Sequence, residues 1–218
     1  MPILVTDFDG TLTERDFYGL ILEIHDSPGA RDVWRRFAAG EATHFESIRD
    51  VFASLRTDRE GAEALVSALA PPPGLADAVA RLRRAGWDLE IASAGCAWYI
   101  ERVLDSLGIE ATLHACPGTF SPETGLVMRP ADGSPFAHPG TGIDKPAVVR
   151  AALERDPVVA VAGDSGTDRE GLLLVPSGRR FARRGVADAL AAEGRSFRRF
   201  ETWPEIVEML VDGDDATA

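Results

Sequence analysis

The sequence predicts an α/β fold, a doubly wound parallel sheet with an all-helical segment inserted into it. Short apolar runs that end in polar loops predict buried strands, and helical patterns alternate with these runs after residue 73. Between residues 15 and 72 the apolar period is helical and no strand pattern occurs. Because strands that alternate with helices favour parallel β–α–β units, we expect one sheet with helices on both faces.

The first strand and the helical insertion are predicted from the start of the chain. A strand is expected over residues 2–6, where Asp7 interrupts the apolar run. Capping-box patterns begin at Thr43 and at Thr57, and three prolines at 71–73 end the helical block because proline cannot donate a backbone hydrogen bond. The predicted helices of this block are 16–25, 28–39, 44–55 and 58–69.

Strands and helices then alternate to the end of the chain, with a possible hairpin at 119–129 and a tail, 212–218, that we expect to be disordered. The predicted strands are 87–92, 111–115, 158–162, 179–182 and 197–200. The predicted helices are 74–84, 97–107, 145–155, 167–174, 186–193 and 203–211. The domain division that follows is an α/β core of residues 1–14 and 73–218 and a helical cap of residues 15–72.

Composition narrows the classes of partner. The formal net charge of −12 argues against nucleic acid or an anionic membrane surface as the main partner. The apolar runs are too short to span a membrane, and two cysteines do not make a disulfide framework, so we expect a cytoplasmic protein. A group of arginines is expected to form a solvated face paired with acidic residues. Its members are Arg179, Arg180, Arg183, Arg184, Arg195, Arg198 and Arg199.

Polar residues stand out where predicted strands end or helices begin. They are Asp7, Asp9, Ser93, Lys145, Asp164 and Asp168. These six residues belong to four separate segments of the chain. Because ligands of open α/β sheets bind at the carboxyl ends of the strands, we expect the four segments to meet at one edge of the sheet. Their convergence is a stronger signal than any one of the residues alone.

This set of residues suits phosphoryl transfer. Clustered carboxylates repel one another unless a cation or protons neutralise them, and a few hard oxygen ligands suit Mg²⁺. Lys145, the single lysine of the chain, can reach a phosphate oxygen and a carboxylate together. The Ser93 hydroxyl and the backbone amides around Ala94 and Gly95 can bind an oxyanion. We therefore expect a small phosphorylated substrate, with Mg²⁺ as cofactor.

The motifs resemble those of the haloacid dehalogenase superfamily over residues 3–175. DFDGTLT at residues 7–13 is similar to its first motif, DxDGT, and GDSGTD at residues 163–168 is similar to its fourth, GDSxxD. Ser93 and Lys145 resemble the second and third motifs in order and spacing. The resemblance implies a core of this superfamily's fold with a helical cap of type 1 inserted after the first motif.

The resemblance also implies a role for each motif residue. Asp7 would be the nucleophile that forms an aspartyl-phosphate, and it would also bind the metal ion. Asp9 would act as general acid and base, with its backbone carbonyl ligating Mg²⁺. Asp164 would be the other side-chain ligand, and Asp168 would hold a metal-bound water or Lys145. Ser93 and Lys145 would hold the phosphate.

Within the superfamily the chain resembles the phosphoserine-phosphatase-like branch, in which Asp16 falls where an acidic cap-base residue often occurs. The Ser93-Ala94-Gly95 turn, the segment 116–142 and Phe181-Ala182-Arg183 resemble MtnX-like phosphatases, which act on 2-hydroxy-3-keto-5-methylthiopentenyl-1-phosphate in methionine salvage. We expect Asp16, Phe17 and Arg49 to face the leaving group.

Other functions stay open at this point. A phosphoserine phosphatase is the first alternative, although such enzymes commonly have GDGxND where this chain has GDSGTD. A phosphotransferase or phosphomutase shares the four motifs. A non-catalytic phosphate-binding protein is disfavoured because no motif position is altered. A dehalogenase would not need Asp9, so the second aspartate counts against that activity.

Overall fold

A computed structural model describes residues 1–24 and 28–212, without the side chains of 28–31 and 34. Its strands are β1 (Ile3–Thr6), β2 (Asp88–Cys96), β3 (Thr112–Cys116), β4 (Gly118–Ser121), β5 (Gly125–Met128), β6 (Ala137–His138), β7 (Gly142–Ile143), β8 (Val159–Gly163), β9 (Arg180–Ala182) and β10 (Arg198–Arg199). Its helices are α1 (Phe17–Ile24), α2 (Pro28–Ala38), α3 (His44–Ala53), α4 (Arg59–Ser67), α5 (Leu75–Arg84), α6 (Ala97–Leu107), α7 (Lys145–Arg155), α8 (Arg169–Leu173), α9 (Arg184–Ala192) and α10 (Trp203–Val211). The predicted tail lies, from residue 213 onward, outside the described residues.

A six-stranded sheet in the order β10-β9-β8-β1-β2-β3 forms the centre of the molecule. All of its neighbouring strands pair in parallel. The strands β1 and β8 are buried along their whole length, which explains their continuous apolar sequence. The chain leaves β1 towards β2 on one side and returns to β8 on the other, so the order of the strands reverses at β1. The predicted fold class is confirmed, and this reversal is where a parallel sheet opens a ligand crevice.

The four helices between residues 15 and 72 form where the helical period and the N-cap residues predict them. Thr43 closes a reciprocal capping box with Glu46 at the start of α3, as predicted. The predicted box at Thr57 is wrong by one residue, because the side chain of Asp58 accepts the hydrogen bond from the Gly61 amide and is the N-cap of α4. Within the described part of the chain, no helix is long and apolar enough to cross a membrane.

The predicted hairpin at 119–129 is formed by β4 and β5, which pair antiparallel. It packs beneath the cap, where α3 contacts β5. Gly125 turns the hairpin with a φ of 71°, and a Cβ atom there would lie 2.7 Å from the Leu55 carbonyl oxygen. A second hairpin, β6 with β7, was not predicted, since two residues in each strand are too few to show an alternating pattern.

The expectation of a solvated arginine face is wrong for two of its members. Arg180 is only 9% exposed and donates to the carbonyl oxygens of Leu172, Val175 and Ser196. Arg183 is 4% exposed and donates to the Gly10 carbonyl oxygen at 2.6 Å, which ties β9 to the loop after β1. These guanidiniums satisfy backbone carbonyls inside the core, a use of arginine that a sequence pattern does not separate from surface charge.

Candidate active site

Three ion-paired side chains lie at the carboxyl end of the sheet. The Lys145 Nζ atom, at the first position of α7, lies 2.8 Å from Asp7 Oδ2 and 2.7 Å from Asp168 Oδ1. All three side chains are buried. Asp7 follows β1 directly and Asp168 follows β8, so two neighbouring strands and one helix position the three charges. The single lysine is therefore held between two carboxylates.

Asp168 is held more tightly than its partners. Its Oδ2 atom accepts hydrogen bonds from the backbone amides of Asp164 at 3.2 Å and Ser165 at 3.0 Å, and from the Ser165 hydroxyl. Its Oδ1 atom accepts a hydrogen bond from Lys145 Nζ. Since a Cβ atom at Gly163 would overlap the Asp168 side chain, glycine at this position admits the carboxylate. Asp168 thus orients Lys145 and has little freedom for another ligand.

Asp164 is a further buried carboxylate beside Asp7. The Thr11 hydroxyl donates to its Oδ1 atom at 3.2 Å, and Arg184 Nη1 lies 3.4 Å from its Oδ2 atom. Gly10 has a φ of 70°, and a Cβ atom there would overlap Asp164. The glycine of the first motif therefore makes room for the carboxylate of the fourth.

The electrostatics of this cluster favour an added cation. Burial raises the pKa of Asp7 well above its ordinary value and Asp168 raises it further, while Lys145 lowers it. Burial, and then Asp168, raises the pKa of Asp164 to about 6. Burial opposes the charge of Lys145, yet Asp168 and Asp7 outweigh it and raise the pKa of the ammonium. One oxygen from each of Asp7, Asp164 and Asp168 lies within 4.8 Å of the others, so the donor set fits a hard divalent cation.

Asp9 lies beside the cluster, and two donors contact its carboxylate. The Phe17 backbone amide, at the start of α1, donates to Oδ1 at 2.9 Å, and the Tyr99 hydroxyl of α6 donates to Oδ2. Burial raises the pKa of Asp9 to about 7, against the lowering effect of these hydrogen bonds. A carboxyl that titrates near neutral pH suits a group that must both give and take a proton.

Ser93, Ala94 and Gly95 form an irregularity inside β2 rather than a loop after it. Strand β2 pairs with β3 through Ala92 and again through Cys96, which lies opposite Cys116, and the register shifts between the two points. The prediction that the strand ends at Ser93 is therefore wrong. The Gly95 amide donates to the Ser93 hydroxyl oxygen at 3.0 Å, which fixes that side chain at the cavity.

A cavity of about 330 Å³ joins these groups. The lining from the core includes Asp7, Asp9, Ser93, Ala94, Gly95, Tyr99, Lys145, Asp164 and Arg184. The lining from the cap region is formed by Asp16, Tyr18, His44, Ile48 and Phe52. The structure thus brings together all four predicted motifs, and it places Asp16 at the same cavity. Phe17 is fully buried, and its backbone amide rather than its ring reaches Asp9.

Arg49 is not among the residues that line this cavity. Its guanidinium pairs with Asp50 through Nη2 at 2.8 Å and Nε at 2.9 Å. His44, Ile48 and Phe52 recur at every fourth position of α3 and form the helix face that meets the cavity, whereas Arg49 is rotated by one residue from it. The geometry gives no support to the predicted contact of Arg49 with substrate.

Sequence reasoning missed Tyr99, Arg184 and the cavity face of α3. Tyr99 lies 90 positions from its partner Asp9, and no local pattern marks such a pair. Arg184 was assigned to the solvated arginine group, but it begins α9 with a φ of 50° and its side chain lines the cavity. The helical spacing of Phe52 predicts a core residue, and Phe52 is buried in the core, yet it also lines the cavity.

Two curated relatives of this chain share one name. A 2-hydroxy-3-keto-5-methylthiopentenyl-1-phosphate phosphatase of Exiguobacterium sibiricum is 24% identical over 210 residues, which cover 95% of each chain. The enzyme of the same name from Geobacillus kaustophilus is 28% identical over 169 residues, which cover 76% of each chain. These relatives align with this chain over nearly its whole length or over three quarters of it.

Solved structures agree on the fold. A substrate-bound phosphoserine phosphatase superposes with a TM-score of 0.66 at 14% identity, covering 95% of this chain and 97% of that one. A HAD family hydrolase from Salmonella enterica serovar Typhi superposes with a TM-score of 0.72 at 14% identity, covering 96% of this chain and 70% of that one. A family model described as haloacid dehalogenase-like hydrolase matches residues 4–173, and it spans all four motifs around the cavity. This chain therefore belongs to the haloacid dehalogenase-like hydrolase family.

Proposed function

We propose that this protein is a phosphatase that hydrolyses a small phosphomonoester through an aspartyl-phosphate on Asp7. The observation that carries the proposal is the pairing of Asp7 with Lys145 at 2.8 Å, in a cavity that Asp9 and Ser93 also line. Nucleophile, acid/base, hydroxyl and ammonium are thus within reach of one bound phosphoryl group. Residues 15–72 act, in this proposal, as the cap that covers the leaving group.

Asp7 and Asp164 would hold Mg²⁺ with their side chains, and Asp9 with its backbone carbonyl. The fit rests on the three buried carboxylates within 4.8 Å, and burial together with neighbouring acidic groups raises the pKa values of Asp7 and Asp164. Asp168 contributes to that charge, but Lys145 and two backbone amides already occupy its oxygens, so it positions rather than ligates. When bound, Mg²⁺ neutralises charge on the phosphoryl oxygens and favours attack on phosphorus.

The protein's own groups account for the proton transfers. Asp7 attacks phosphorus while Asp9 gives its proton to the leaving oxygen as the P–O bond breaks. Asp9, now a carboxylate, then takes a proton from the water that attacks the phosphoenzyme, and Asp7 is released. Lys145 and the Ser93 hydroxyl hold the phosphoryl oxygens through both steps.

Two substrate classes are supported. The relatives named for the methionine-salvage enol phosphate favour that class, and Ile48 and Phe52 offer an apolar wall to an uncharged leaving group. The runner-up is phosphoserine, because Asp16 and Arg184 line the same cavity with opposite charges, as a zwitterionic leaving group requires.

Turnover of a panel of phosphomonoesters tests the proposal. Enol, sugar, aryl and phosphoserine substrates would be compared with Mg²⁺ and with EDTA. We expect hydrolysis with Mg²⁺ and loss of activity in EDTA. Undiminished activity in EDTA would refute the metal assignment, and a marked preference for L-phosphoserine would select the runner-up.

A further inference from the structure

The hydroxyl of Tyr99 contacts the group that the proposed reaction uses for proton transfer. Asp9 accepts from this hydroxyl on Oδ2 and from the Phe17 amide on Oδ1. We propose that Tyr99 is a positioning residue for the reaction: its hydroxyl holds the Asp9 carboxyl in the orientation needed to protonate the leaving oxygen and later to deprotonate water. This inference rests on the proposed function, in which Asp9 is the acid and base.

The tyrosine ring is fixed on several sides. Tyr99 is only 1% exposed, and its ring stacks on Phe17 with centroids 4.3 Å apart and planes 15° apart. Phe52 contacts it edge-on, with centroids 5.8 Å apart and an interplanar angle of 85°. A ring packed in this way has one accessible orientation, so the position of its hydroxyl is set before substrate binds.

Gly95 leaves the space that this contact needs. A Cβ atom at Gly95 would overlap the Tyr99 hydroxyl and lie 2.9 Å from Asp9 Oδ2. Gly95 does not have a positive φ, so its backbone conformation is open to other residues and the requirement is one of space. The phosphate-binding turn and the tyrosine are therefore adapted to each other around Asp9.

The position of Tyr99 also joins core and cap. Tyr99 belongs to α6 of the core, whereas Phe17 and Phe52 belong to α1 and α3 of the cap. The same aromatic cluster thus holds the ring that orients Asp9 and the cap residue whose amide contacts the other oxygen. Tyr99 keeps its proton throughout the reaction and needs no step of its own, since its hydroxyl donates to the Asp9 carboxyl group both when this group is protonated and when it is ionised.

Tyr99→Phe tests the inference because it removes the hydroxyl and keeps the ring. The value of kcat/KM reports the steps up to the phosphoenzyme, in which only a poor leaving group needs a proton from Asp9. We expect a loss on the order of tenfold in kcat/KM for an alkyl phosphate, the equivalent of one well-placed hydrogen bond. For p-nitrophenyl phosphate, whose leaving group needs little protonation, we expect a loss of about twofold or less.

The chain offers a matched control, since its two tyrosines both line the cavity. Tyr18→Phe also removes a hydroxyl there, but we expect it to change both substrates by the same factor. Intact-mass spectrometry gives a second readout. A mispositioned base slows hydrolysis of the phosphoenzyme, so Tyr99→Phe should accumulate more phosphoryl adduct from p-nitrophenyl phosphate than the parent protein.

Gly95→Ala provides a second variant, which displaces the hydroxyl by steric contact and leaves Tyr99 itself unsubstituted. It should reproduce the selective loss on alkyl phosphates, and its effect should be smaller in a Tyr99→Phe background. Equal losses on alkyl and aryl phosphates with no added adduct would overturn the inference while leaving the proposed function intact. Absence of turnover by the parent protein on every substrate would refute the proposed function and this inference with it.

Discussion

The cavity has two sides, called the floor and the roof here, and they differ in the kind of side chain that forms them. The floor consists of buried charges at strand ends, Asp7, Asp164 and Asp168, whose oxygens are fixed by Lys145, Thr11 and backbone amides. The roof consists of one helix face with an imidazole, an aliphatic side chain and a phenyl ring, His44, Ile48 and Phe52. A fixed charge array suits a group that all substrates share, whereas an apolar face can change by single substitutions. The floor therefore suits the phosphoryl group, and the roof suits the leaving group.

The strongest test of this division is the nucleophile. Asp7→Asn should lower turnover on the order of 10⁴-fold or more for every phosphomonoester, because the attacking carboxylate is lost. No phosphoryl adduct should appear by intact-mass spectrometry. Asp9→Asn is the matched control: it keeps Asp7 and should still form an adduct with an aryl phosphate. An adduct on the Asp7→Asn protein would contradict the assignment of the floor.

Asp164→Asn should weaken Mg²⁺ by roughly 10- to 100-fold, as measured by titration of activity and by the rise in Tm that Mg²⁺ produces. Without metal its stability should not fall. The raised pKa of Asp164 means that its ionised form, which prevails above about pH 6, costs folding free energy that the amide does not. Asp188→Asn serves as control, because Asp188 is exposed and pairs with Arg199 away from the cavity. A Mg²⁺ affinity unchanged in Asp164→Asn would remove this residue from the metal site.

Substitutions in the roof should change substrate ranking. Ile48→Ala should lower kcat/KM for the preferred substrate on the order of tenfold and leave the Mg²⁺ requirement unchanged, because it removes apolar contact with the leaving group only. Arg49→Ala, one residue along, should leave the ranking unchanged. If Arg49→Ala and not Ile48→Ala altered the ranking, the sequence-based prediction for Arg49 would be right and the orientation of α3 wrong.

The smallest expected effect is a pH dependence of the roof. Burial lowers the pKa of His44 to about 4, and the nearby charge of Lys145 lowers it further, against Asp168. His44 therefore binds a proton more readily in the unfolded chain than in the folded protein. Its contribution to the free energy of unfolding is present above about pH 6.5 and is lost as the pH falls towards 4. The loss should be on the order of 1 kcal/mol after partial exposure is allowed for. Denaturant unfolding of the parent and of His44→Gln at pH 7.5 and pH 5 measures it. An equal loss of unfolding free energy between pH 7.5 and pH 5 in the parent and in His44→Gln would contradict the lowered pKa of His44.

The sequence predicted the floor more fully than the roof, and the reason is physical. Asp7 and Asp164 each directly follow a buried strand, so the topology of a parallel sheet alone brings them together. The end of β2 is not predicted correctly, because the pattern predicts that the strand ends at Ser93 and the strand continues to Cys96.

The roof depends on the rotation of a helix about its axis and on contacts between residues far apart in the chain. Ile48 and Phe45 are both buried apolar residues of α3, and nothing local indicates that Ile48 lines the cavity whereas Phe45 does not. The pairing of Tyr99 with Asp9 depends on how α6 meets the cap. The sequence does not indicate a cavity position for Arg184, because a run of arginines predicts exposed charge. The position of its side chain is set by its own left-handed backbone conformation at the start of α9.

The irregularity in β2, between Ala92 and Cys96, restricts insertions and deletions in this part of the chain. Four steps along β2, from Ala92 to Cys96, match two steps along β3, from His114 to Cys116. Two extra residues preserve the alternation of side chains, so Cys96 still faces the interior at the start of α6. A deletion or insertion of one residue would turn Cys96 to the opposite face and rotate the start of that helix. A change by one in the number of residues between Ala92 and Cys96 is therefore incompatible with the sheet, whatever the identity of Ser93 and Ala94.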